Sequence, residues 1–189
     1  MGFSRAELER FVGATVPDLV GPGARLVFVG INPGLWTAAT QTHFAHPGNR
    51  FYPALLRAGI ITREVDRGAG MTDAERAHLV ERGIAITNLV HRATARAADL
   101  DDGELRAGVS DLRAFVRRHR PAVVAIAGIT AYRTAFDRPM AVTGEQEGGL
   151  EGSRLWVVPN PSGLNAHETV ESLADAYRAP AAAAGVVPV

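Results

Sequence analysis

Four short stretches of the chain are apolar at nearly every position: Arg25–Gly30 (RLVFVG), Gly83–Thr87 (GIAIT), Pro121–Gly128 (PAVVAIAG) and Leu155–Pro159 (LWVVP). Each is rich in Val, Ile or Leu and is bounded by Gly, Pro or Asn. Continuous rather than alternating apolar character predicts strands buried on both faces, hence a parallel sheet covered by helices on either side. Helical patterns lie between these runs. Thr72-Asp73-Ala74-Glu75 has the form of a capping box and predicts a helix over Ala74–Glu81. Asp102–Arg118 carries Leu105, Val109, Leu112 and Val116 at helical spacing and ends in a cluster of Arg suited to the negative pole of a helix. Arg50–Ala58, Ile129–Phe136 and Glu168–Tyr177 are weaker helix candidates. Met140–Ser153, rich in Gly and Glu, reads as an antiparallel excursion or a loop. Ala179–Val189, rich in Ala and Pro, reads as a frayed tail. The alternation of strand and helix predicts one α/β domain over residues 1–189, with its core at about 23–177.

Composition narrows the chemistry. The chain has 189 residues, 47% hydrophobic and 21% charged, enough apolar material for a core. It has no Cys, which excludes disulfides, thiolate metal sites and a Cys nucleophile. All 20 basic residues are Arg, so lysine-amine catalysis and a P-loop lysine are excluded as well. The formal net charge is zero, so nucleic acid can be attracted only by a local patch. No apolar run approaches a membrane span, and the first residues lack the pattern of a secretion signal. These features lead to the expectation of a cytoplasmic protein without a membrane partner.

Asparagine placement singles out one end of the predicted sheet. Of five Asn, three follow strands: Asn32 after RLVFVG and Ile31, Asn88 after GIAIT, and Asn160 after LWVVP. Ligands of open parallel sheets bind outside the carboxyl ends of the strands. Two of the three precede Pro, in Asn32-Pro33-Gly34 and Asn160-Pro161-Ser162-Gly163, which stops the strand in a stiff turn. Each motif alone is an ordinary turn signal. Together with Asn88 they predict three amides converging on one crevice. An amide offers one acceptor and two donors and is a poor base, so chemistry there would rely on positioning and electrostatics.

Three segments, Gly30-Ile31-Asn32-Pro33-Gly34-Leu35, Phe44-Ala45-His46-Pro47-Gly48-Asn49-Arg50-Phe51 and Asn160-Pro161-Ser162-Gly163-Leu164-Asn165, resemble the mismatch-specific uracil/thymine DNA glycosylases of the uracil-DNA glycosylase superfamily. The resemblance runs from about Gly23 to about Tyr177. It implies a three-layer α/β/α sandwich around a mainly parallel sheet of four to five strands. It implies a monomeric, monofunctional glycosylase that needs no metal or cofactor. Such an enzyme acts on double-stranded DNA containing uracil or a mismatched base and leaves an abasic site. Asn32 matches the catalytic asparagine that positions the attacking water. Ile31 and Gly34 match the segment whose backbone contacts the flipped base, and Phe44 matches the aromatic that packs on that base. Ser162, Gly163, Leu164 and Asn165 match the DNA-binding loop, with Leu164 filling the gap left by the extruded nucleotide. A wedge of this kind offsets the cost of roughly a few kcal/mol for turning a nucleotide out of the stack.

The pattern departs from the family at two places. Ala166 stands where some relatives carry an Arg that contacts the opposite strand. Asn88 stands where bacterial mismatch enzymes have Lys, and it is more similar to the asparagine with which broad uracil glycosylases read the base. Asn88 is therefore expected to read O4 and N3–H of uracil and to widen activity beyond G·U pairs, and Asn160 is counted with it as substrate-binding. The bland alternative for Asn88 is a strand cap. Leu164 and Phe44 have core packing as their alternatives, and Thr37 could bond the base or simply face a helix. His43, His46, His91 and Arg92 read as solvated loop residues or DNA contacts, and Arg50 as a phosphate contact or a structural pair. Two other functions compete: a non-catalytic base-binding module on the same fold, and an enzyme acting on free nucleosides, which would have no use for a wedge.

Overall fold

In the computed structural model, which describes residues 2–188, the apolar runs become strands and the intervening patterns become helices. In chain order the elements are α1 (Arg5–Glu9), β1 (Leu26–Gly30), α2 (Leu35–Thr40), α3 (Phe51–Arg57), α4 (Asp73–Glu81), β2 (Ile84–Asn88), a single 3₁₀ turn (Ala97–Asp99), α5 (Asp102–His119), β3 (Val123–Ala127), α6 (Ile129–Ala135), β4 (Gly144–Leu150), β5 (Ser153–Val158) and α7 (Val170–Ala183). The sheet has five strands in the order β2-β1-β3-β5-β4. Strands β2, β1, β3 and β5 run parallel, and β4 pairs antiparallel with β5.

The continuous apolar runs have a simple cause. Leu26 and Phe28 of β1 enter one core with Ile84 and Ile86 of β2, while Val27 and Val29 enter the opposite core with Ala85. Strand β3 divides likewise, with Val123 and Ala125 on the first face and Val124 and Ile126 on the second. Side chains alternate across a strand, so a sheet covered on both sides needs apolar residues at every position. Helices α3, α4 and α7 cover the first face through Leu55, Leu79 and Tyr177, whereas α5 and α6 cover the second through Leu112, Val116 and Tyr132. The result is the three-layer sandwich. The capping box at Thr72 is formed, with its side chain accepting from the Glu75 N–H, and a second one at Asp101 starts α5.

Two segments differ from expectation or sharpen it. Met140–Ser153 contains β4, whose edge position explains its polar composition, and the hairpin turn carries Glu151 and Gly152 at φ 50° and 88°. The tail expected to fray does not. Helix α7 runs through Pro180 to Ala183, and Ala181, Ala184, Val186 and Val187 are buried in the first core. Arg25 and Arg82 donate to the carbonyls of Gly185 and Val186 and tie the segment down. The last residue lies outside the described ones. No helix is long and apolar enough to cross a membrane among the described residues.

From β1 the chain goes to β2 on one side, and β3 then joins on the other, so the order reverses between β1 and β3. The crevice at such a reversal, at the carboxyl ends of the strands, is where doubly wound sheets bind ligands.

Candidate active site

A cavity of about 590 Å³ opens at that crevice. All four parallel strand ends line it, through Ile31, Asn88, Ala127 and Asn160. Asn32, Gly34, Phe44, Ser162, Gly163 and Leu164 line it as well. Of the residues expected at the site, Asn165 alone stays out of the lining. The volume falls within the range of small-molecule pockets. No Asp or Glu lines the cavity among the described residues.

Asn32 has an orientation that the surrounding acceptors dictate. Its Nδ2 donates to the Arg92 carbonyl at 3.0 Å and to Thr94 Oγ1 at 2.7 Å, with the Pro33 carbonyl at 3.2 Å. A backbone carbonyl can only accept, so the atom facing Arg92 must be the amide nitrogen. The Thr94 hydroxyl donates its own proton to the Arg96 carbonyl at 2.8 Å, leaving its lone pairs for Asn32. Asn32 Oδ1 has no partner of its own among the described residues and is left as an acceptor at the half-buried mouth. The loop that supplies these acceptors is anchored in turn. Arg92 forms a two-pronged ion pair with Glu104 at the start of α5 and holds that carboxyl down to about 2. Arg92 is thus engaged internally. Thr94 went unnoticed in the sequence because it sits in an irregular loop with no periodicity; only folding brings it against Asn32.

Asn88 forms part of the cavity wall and is 5% exposed. Its Nδ2 lies 3.2 Å from His43 Nδ1, and His43 Nε2 lies 3.0 Å from the Pro17 carbonyl. Burial pushes the His43 imidazole below its ordinary value and keeps it neutral. The Pro17 carbonyl then requires the ring proton on Nε2, so Nδ1 accepts from Asn88. This commits one amide N–H of Asn88 to His43 and leaves it Oδ1 and a second N–H. Gly30 makes room for this arrangement, because a β-carbon there would lie 2.5 Å from Asn88 Oδ1 and 3.4 Å from Phe44 Cζ. His43 is therefore a buried brace, not a solvated loop residue.

Phe44 adopts φ 56°, an outlier for a bulky side chain. Such backbone strain persists only where the surroundings over-determine it. Here Phe44 stacks on Phe51 with ring centroids 4.1 Å apart, and the Tyr52 hydroxyl bonds the preceding carbonyl of His43 at 2.9 Å. One face of the Phe44 ring is taken, and the ring meets the cavity with what remains. Thr37 is buried at the cavity wall, its hydroxyl 3.4 Å from the Ala45 N–H. His46 is exposed at the mouth, and its Nδ1 accepts from the Gly48 N–H at 3.0 Å.

The loop after β5 is tied to itself. Asn160 Oδ1 accepts from the Ser162 N–H, Ser162 Oγ from the Leu164 N–H, and the Asn160 carbonyl from Asn165 Nδ2. Asn165 is thus spent on bracing, and Asn160 retains only its amide nitrogen as a possible donor to the cavity. Leu164 is 89% exposed and does not fold back on the core.

The profile of the Uracil DNA glycosylase superfamily matches residues 17–181. Among solved structures, the fold is similar to the solution NMR structure of a provisionally named uracil DNA glycosylase from Methanosarcina acetivorans, at a TM-score of 0.60 and 16% identity over 89% of this chain and 98% of that one. At that identity the likeness speaks for the fold.

Proposed function

The chain belongs to the uracil DNA glycosylase superfamily, and from this premise we propose that it is a monofunctional DNA glycosylase that hydrolyses the N-glycosidic bond of uracil, in G·U mismatches and more broadly, leaving an abasic site. The observation that carries the reading is the free Asn32 Oδ1 and the exposed Leu164 on the rim of one cavity. The target nucleotide turns out of the duplex, and Leu164 occupies the vacated stack. Asn32 Oδ1 accepts a hydrogen bond from a water and aims its oxygen at C1′ of the deoxyribose. As the bond to the base breaks, the sugar becomes cation-like and the base departs as an anion; the water oxygen then bonds C1′, and the proton it releases neutralises the departed base. With no carboxylate lining the cavity, the rate enhancement comes from orientation and fixed dipoles.

Asn88 supports uracil as the substrate. Its Oδ1 suits N3–H of the base and its remaining N–H suits O4, while the bond to His43 holds the amide in that sense. Phe44 packs on the base, and backbone groups of Ile31 and Gly34 flank it. The DNA face is built from Ser162, Gly163 and Leu164. The chain lacks Lys, so no lysine amine is available for strand cleavage after base removal.

The test is incubation with duplexes carrying single uracil, thymine, ethenocytosine, xanthine or hypoxanthine lesions, followed by alkali cleavage of abasic sites. Cleavage at uracil, lost in Asn32→Ala with DNA binding retained, is expected. A protein that binds these duplexes and cleaves none is a base-binding module instead. Faster release of uracil from free deoxyuridine than from DNA would favour a nucleoside enzyme.

A further inference from the structure

Arg50 lies at the cavity rim, where its charge suits either a phosphate contact or a structural pairing. Its Nη1 instead donates to two carbonyls of the loop after β5, Ser162 at 3.3 Å and Asn165 at 3.1 Å. Its backbone N–H donates to the Pro161 carbonyl at 3.0 Å. These three bonds span the loop on both sides of Leu164. The same two segments touch a second time, where a β-carbon on Gly163 would lie 2.6 Å from the Gly48 carbonyl. The loop therefore rests on the segment that carries Phe44, His46 and Asn49. Leu164 itself has almost no packing of its own, and its position is inherited from the backbone beneath it.

We propose that Arg50 is the positioning residue of the Leu164 wedge: it locks the insertion loop to the wall of the base pocket, so that wedge and pocket meet DNA as one rigid body. This rests on the glycosylase reading in so far as Leu164 enters DNA. The physical need is clear. An apolar side chain that must enter a base stack gains little if its loop is ordered only on contact, because the ordering entropy is then charged against flipping.

The test is a double-mutant cycle under single-turnover conditions on a uracil-containing duplex, with Arg50→Met, Leu164→Ala and the double variant. Arg50→Met is expected to lower the rate about tenfold, the order of one charge-assisted hydrogen bond. In the Leu164→Ala background the same change is expected to cost less than about twofold, since a contact that acts through Leu164 has nothing left to position. The salt dependence of duplex binding should be unchanged. An equal loss in both backgrounds, no loss in either, or a fall of about one in the salt slope would overturn the proposal, the last by showing a direct phosphate contact. If Arg50→Met does not fold, Arg50→Gln enters the same cycle. Amide hydrogen exchange on the free protein gives a readout independent of activity. Faster exchange at Leu164 and Asn165 in the Arg50 variant is expected, and unchanged protection would refute the brace. A wild-type protein with no excision activity but the expected exchange effect would sink the glycosylase reading and leave the brace standing.

Discussion

Thr94 decides which way the Asn32 amide faces, although it has no place in any sequence motif of this chain. Its hydroxyl proton is committed to Arg96, so it can only receive from Asn32. Replacing it with Val removes that acceptor at nearly constant shape. One hydrogen bond of about 0.5–1.5 kcal/mol corresponds to a fall of roughly 3–10-fold in single-turnover excision, and Thr94→Ser should restore most of the rate. His43 plays the equivalent part for Asn88. His43→Leu removes the acceptor that holds the Asn88 amide, and preference for uracil over cytosine should fall, measured as the ratio of excision rates on the two bases in duplex DNA. His43 also predicts a pH effect. Its imidazole is pushed below the ordinary 6.5 by burial. Below 6.5 the unfolded chain takes up a proton there that the folded protein does not, so the folded state loses stability as pH falls from 6.5 toward the depressed value. Thermal melting between pH 7.5 and 5 should show a decline that His43→Leu reduces.

At the scale of elements, the strands were legible because burial on both faces writes itself as an unbroken apolar run. Helix α4 was legible through its capping box and α5 through the spacing of its apolar residues. Strand β4 was legible only as one of two alternatives, an antiparallel excursion or a loop, since Gly and Glu have little strand preference; pairing with β5 and the Glu145–Arg154 ion pair across the hairpin make it a strand. The end of the chain misled for a related reason. Pro180 is a helix-breaking signal in isolation, yet it is buried, and Ala181 and Ala184 beyond it join the first core, which carries the helix past it. Truncation after Ala179 should strip Val186 and Val187 from that core. At about 1.5–3 kcal/mol per buried Val and roughly 2–4 °C per kcal/mol, melting should fall by about 10 °C. The loop carrying Leu164 obeys a tighter constraint. Gly163→Ala places a β-carbon on the Gly48 carbonyl and must push the loops apart. Excision from duplex DNA should drop by about tenfold or more, the cost of a misplaced group, with far-UV circular dichroism unchanged.

Taken whole, the molecule has no net charge with which to attract DNA. Binding must come from a few Arg around the cavity, and several of these are already occupied: Arg92 by Glu104, Arg50 by loop carbonyls, Arg96 by Asp99. The slope of log affinity against log salt should accordingly be shallow, of magnitude about 3 or less, where each neutralised phosphate contributes about 0.9. A steep slope would mean that these pairs open to meet phosphate. By itself the sequence determined the layered fold and the strand-end placement of Asn32, Asn88 and Asn160, because hydrophobic period and Pro- or Gly-stopped strands are local properties that survive without neighbours. Only the tertiary structure decided which of the amides is free to act. Asn32 Oδ1 is left open and Asn88 is held by His43, because a hydrogen-bonding group is defined by the partner that already holds it, and the partners Arg92, Thr94 and His43 lie tens of residues away in the chain.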